Sequence, residues 1–81
     1  MRIEEIRKAH QARPFKPFLL RTTDGREYLV PHPEFLAVMP SGRAVIVTYT
    51  DDSWEVIDLL HIASLHIDGG RSAEAEGNPN S

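Results

Sequence analysis

Cysteine is absent from the 81 residues. Its absence rules out a disulfide framework, a thiolate metal site and a cysteine nucleophile, and it suits a reducing cytoplasm. Tryptophan occurs once, and aromatic residues make up only 7% of the chain, so a stacking surface for a base or a partner would rest on very few side chains. No apolar stretch approaches the ~20 residues of a membrane span. The charged opening MRIEEIRKAH has no apolar core of the kind a secretory signal needs. A surplus of positive charge is missing too: the net charge is −3, whereas phosphate binders usually carry a basic footprint. No GxxxxGK[ST] or GxGxxG loop, HExxH pair or nucleophile elbow occurs.

A chain of this length makes one domain, and such a domain buries only roughly 60–65% of the surface its unfolded chain exposes. Its stability is therefore modest, and oligomerisation would relieve that. The charge is uneven. Residues 1–30 hold seven Lys and Arg against four Asp and Glu, while residues 31–81 hold two against eight. An asymmetry of this kind can mark a partner surface, or it can simply let the two ends of the molecule attract each other.

What the chain does have is a long β-branched and aromatic run, Ala44 to Ile67, broken by Asp51-Asp52-Ser53. It reads as the spine of a small antiparallel sheet. A three-residue loop at 51–53 sets Val47 opposite Ile57 and Val45 opposite Leu59, which gives an apolar face. A two-residue loop would set Val45 against Asp58 and bury a carboxylate at high cost. The other face then holds Ile46, Thr48, Trp54, Val56 and Asp58, half of it apolar.

Around this spine the remaining elements fall in order. Residues 2–12 read as an amphipathic helix with Ile3, Ile6, Ala9 and His10 on one face; acids lie in its first turn and bases near its last. Pro14 ends it. Residues 13–18, RPFKPF, form an extended connector. Phe18–Thr23 and Arg26–Val30 form a hairpin around Asp24-Gly25, either as a two-residue turn pairing Arg21 with Tyr28 or with one more loop residue, pairing Leu20 with Tyr28. Pro33 opens one helical turn through Phe35, Leu36–Met39 resumes as a strand, and Pro40-Ser41-Gly42 turns the chain. Leu59-Leu60-His61 bends it into a last strand, Ile62–Ile67, with Ala63, Leu65 and Ile67 on one side. The predicted fold is mainly β (α+β): an N-terminal helix followed by a strongly bent five-stranded antiparallel sheet, an SH3-like or Sm-like barrel over residues 1–68. Residues 69–81 are small and polar and read as a disordered tail.

Few chemical constellations stand out. The four histidines, His10, His32, His61 and His66, are scattered and show no ligand spacing. Asp51 and Asp52 are sufficiently explained as turn formers. No catalytic, cofactor or metal site is expected. The candidate contacts for a protein or RNA partner are the basic residues around the first hairpin, Arg13, Lys16, Arg21 and Arg26, together with Trp54 and His61.

The segment VIDLLHIAS, residues 56–64, resembles the region between the fourth and fifth strands of the bacterial Sm-like RNA chaperones (the Hfq family). The order of elements over residues 2–67 resembles the Sm class of SH3-type barrels. In that family a histidine at this bend helps to line an RNA-binding pore in a ring hexamer, which implies such a role for His61. Leu60 stands where the family carries a basic residue, and Glu34-Phe35-Leu36-Ala37 stands where its Asp/Met/Asn signature would be. Separately, RPFKPF, DGREY and HPEF in this order resemble an uncharacterised family of small bacterial proteins. The function implied is a non-enzymatic binding or assembly module, self-associating or bound to another protein, with RNA as a further partner. The alternative is a monomeric accessory subunit that binds a protein through Trp54, Val56 and Ile46. No small-molecule substrate, cofactor or membrane partner is implied.

Overall fold

A computed structural model describes residues 1–67; the tail expected over 69–81 lies outside them. The helix α1 spans Ile3–His10, shorter at both ends than expected: no side chain caps its N-terminus, and Gln11 already leaves the helical conformation. Its apolar stripe is as expected: Ile6 and Ala9 are buried and Ile3 packs against the core. His10 Nε2 lies 2.8 Å from the carbonyl of Pro33, which ties the helix end to the loop ahead of the third strand.

Six strands follow: β1 (Phe18–Thr22), β2 (Glu27–Val30), β3 (Leu36–Val38), β4 (Ala44–Thr48), β5 (Trp54–Asp58) and β6 (Ile62–Ile67). They form two antiparallel three-stranded sheets in the orders β2-β1-β6 and β3-β4-β5. The single bent sheet of five strands is thus corrected to six strands in two sheets, and among the described residues no closed barrel forms. The cause lies at Pro31 and Pro33. Neither has an N–H to donate, so the expected second strand breaks at a 3-10 turn, Pro33–Phe35, and its halves serve different sheets.

The loops of two hairpins, β1-β2 and β4-β5, hold three residues each. In the first, Phe18 pairs with Val30 and Leu20 with Tyr28, and Gly25 takes the left-handed conformation (φ 88°) that ends such a loop. The longer of the two registers is the one formed. In the second, Val45 pairs with Ile57 and Val47 with Glu55, which corrects the expected pairing of Val47 with Ile57. The loop starts one residue earlier than expected, at Thr50. Asp52 takes the left-handed position (φ 70°), and Asp51 Oδ1 accepts from Ser53 N–H at 3.0 Å. A shift of two positions keeps every side chain on its expected face, so Val45, Val47 and Ile57 are still buried.

A second 3-10 turn, Leu59–His61, links β5 to β6, with Asp58 accepting from Leu60 N–H at 2.8 Å. The alternation expected along β6 holds for Leu65 and Ile67, which pair with the buried Leu20 and Phe18, and breaks at Ala63, which is exposed. There the pairing with β1 slips between Arg21 and Thr22, so Ile62 turns into the core in its place. The core lies between the sheets and under α1, built from Ile6, Phe18, Leu20, Val30, Val45, Val47 and Ile62 among others.

Candidate functional site

The two sheets part along the outer edge of β5. Tyr49 N–H donates to Ser53 O and Leu59 N–H to Arg43 O, both at 2.9 Å. The alternation of an antiparallel ladder then aims the backbones of Glu55 and Ile57 at β4. It turns the N–H and C=O groups of Trp54, Val56 and Asp58 outward. β5 is the last strand of its sheet, so among the described residues no strand meets these groups.

An open cleft of about 460 Å³ runs beside this edge. One wall is the tip of the first hairpin, with Thr22, Thr23, Asp24, Arg26 and Tyr28; the other is residues 55–58 of β5, and His61 stands at one end. Successive strand residues point to opposite faces. A cleft touching four in a row therefore follows the edge of β5 and not one of its faces. The end near His61 is tied shut, because Thr23 N–H donates to His61 O at 2.8 Å.

Glu55 is the hub of the cleft. Its parity on β5 places it on the inward face beside Ile57, yet it is not left unpaired. Tyr28 Oη donates to Glu55 Oε2 at 2.8 Å, Arg26 Nη1 to the same oxygen at 3.3 Å and Tyr49 Oη to Oε1 at 3.5 Å. This answers the desolvation cost of a half-buried carboxylate. Burial first, then the charge of Glu55, pushes the Tyr49 phenol above its ordinary pKa. Arg26 also reaches Asp24, at 3.4 Å, and so bridges two acids. Asp24 accepts from the Thr22 hydroxyl. That bond, then the backbone and charge of Arg26, holds its carboxyl below the ordinary range. Three carboxylates, Asp24, Glu55 and Asp58, line the cleft with the single guanidinium of Arg26, which makes it acidic.

The six candidate residues do not form one patch. Arg26 and His61 share the cleft. Arg21 lies on the exposed face of β1, where Nε and Nη2 donate to Glu27 Oε2 at 3.1 and 2.6 Å. Arg13 and Lys16 stay exposed on the connector. Trp54 projects from the start of β5, 66% exposed, on the outer face of its sheet with Val56, 49% exposed. Ile46 pairs with Val56 and Ala37 with Ile46 on the same face, which makes an apolar row across all three strands. Leu60, 85% exposed, lies in the 3-10 turn that follows β5. Sequence reasoning missed Glu55, Tyr28 and Asp24. The parity of Glu55 with Ile57 was the available signal; the hydroxyl donor that makes an inward acid tolerable comes from the other sheet.

Among the described residues no helix is long and apolar enough to cross a membrane, and no three acids or histidines gather as metal ligands. The chain matches no protein-family model, no curated protein and no solved structure.

Proposed function

We propose that this chain is a non-enzymatic binding and assembly module that engages protein, another chain or a copy of itself, through sheet β3-β4-β5. The observation that carries the reading is the exposed apolar row with Trp54 and Val56 beside an unpaired strand edge. An edge of this kind invites pairing. Covering the exposed part of one tryptophan yields about 3 kcal/mol before the cost of association. The order of elements supports an SH3-like, Sm-like arrangement split into two unjoined sheets: helix, curled hairpin, broken second strand, long hairpin and a last strand returning to the first. A polynucleotide is the weaker fit. Arg21 and Arg26 are paired with Glu27, Asp24 and Glu55, and with a net charge of −3 the chain lacks the basic footprint of a phosphate binder.

The test compares wild type with Trp54→Ala and Val56→Ser by affinity capture and by light scattering at micromolar concentration. Both variants are expected to lose protein partners or mass while keeping their stability within about 0.5 kcal/mol, since both side chains face solvent. Identical partner sets and identical masses across all three proteins would overturn the reading.

A further inference from the structure

We propose that the cleft beside β5 receives an extended basic segment of a partner protein, which adds to sheet β3-β4-β5 as a fourth strand. The proposal rests on the protein-binding reading above and names the chemistry of the partner.

Three features converge on it. The outward N–H and C=O groups of Trp54, Val56 and Asp58 recur at every second residue, the spacing an added antiparallel strand requires. The five residues of β5 span roughly 17 Å, long enough to hold a short segment in register. The cleft volume of about 460 Å³ lies within the range of roughly 300–1,000 Å³ typical of ligand sites.

Charge then selects the occupant. Side chains of an added strand alternate between the two faces. Those on the inner face meet Glu55 and the hairpin tip with Asp24, where carboxylates outnumber the single guanidinium of Arg26. Those on the outer face run beside Trp54 and Val56. The matching segment therefore alternates basic with apolar residues. A second copy of β5 is a poor occupant, because it would bring a second Glu55 and Asp58 into an already acidic cleft. The chain's own basic connector is also poor. It holds Pro14 and Pro17, and neither can donate to a ladder.

The probes are labelled synthetic peptides measured by fluorescence anisotropy: a short peptide alternating arginine and valine, the same peptide with glutamate for arginine, and the arginine peptide N-methylated on alternate backbone amides. The expected result is saturable binding of the first and none of the second. The third should bind roughly tenfold or more weakly, because its methyl groups remove several ladder hydrogen bonds. Amide NMR shifts should cluster at residues 22–28 and 54–61. Glu55→Gln, which preserves the acceptor for Tyr28, should weaken the arginine peptide several-fold. The inference falls if the arginine and glutamate peptides bind alike, if N-methylation changes nothing, or if the shifts lie elsewhere. A dimer held through β5 without peptide would also overturn it, while leaving the protein-binding reading intact. That reading falls only with the Trp54 and Val56 comparison above.

Discussion

Glu55 stands at a position where the strand pattern calls for a leucine or valine. It is tolerated because Tyr28, itself only 6% exposed, donates its hydroxyl to the carboxylate. The two groups solve each other's burial, so the residue to remove is the acceptor. Glu55→Leu is expected to cost about 1–3 kcal/mol, the penalty of orphaning a buried hydroxyl. Glu55→Gln, which keeps an acceptor oxygen, should cost under about 1 kcal/mol. Urea denaturation midpoints distinguish them, and equal midpoints for Leu and wild type would show that the hub contributes nothing. A second carboxylate gives a pH signature. The hydroxyl of Ser53, then its N–H, holds Asp51 below its ordinary value of 3.8. A group depressed in the folded state stabilises it above the unfolded pKa, and that contribution fades as pH falls through the folded value. The thermal midpoint of Asp51→Asn should therefore lie below that of wild type at neutral pH, and the gap should close as pH drops below 3.8.

At the scale of elements the turns are the most exacting parts. Gly25 is at φ 88° with nothing within 4 Å of where a Cβ would stand, so Gly25→Ala carries a purely conformational cost of about 1–2 kcal/mol. Asp52, at φ 70°, is the reverse case, and Asp52→Gly should gain roughly 0.5 kcal/mol. Thermal melts of the two variants should move in opposite directions. The helix is held by a single deeply buried anchor. Ile6→Ala should cost about 2–5 kcal/mol and loosen α1, visible as lost helical ellipticity ahead of the main transition. These elements were largely legible in the sequence. Period-two patterning fixes which side of β4 and β5 is greasy, and prolines mark the connector and the start of the 3-10 turn at residues 33–35. Register was not legible, because Asp51 and Asp52 suit several loop positions alike and a slip of two residues preserves every face. The break into two sheets was hidden for a related reason: Pro31 and Pro33 announce an interruption but not which neighbour each half will choose. The cleft was least legible of all, since it joins Tyr28 and Arg26 to Glu55 across nearly thirty residues of chain.

For the molecule as a whole, stability is spread unevenly. β1 and β4 are the central strands of their sheets and bury Phe18, Leu20, Val45 and Val47 almost completely. Their amides should exchange with deuterium most slowly, while the outward amides of the edge strands, Trp54, Val56 and Asp58 among them, should exchange fast. Hydrogen exchange measured at increasing protein concentration checks this. Slow exchange at Val56 that persists on dilution would mean that the edge is already covered.

The pairing of Leu20 with Leu65 also sets a timetable for biosynthesis. The hairpins of residues 36–58 need only near neighbours and can close while the ribosome is still adding residues, since short loops close fastest. The first sheet must wait for its third strand to emerge. Until then Phe18, Leu20 and the helix that rests on them have no far wall, and the nascent chain carries its greasiest early residues uncovered. A chain truncated just after β5 should therefore yield a half-built domain that chaperones hold and proteases cut near its front end.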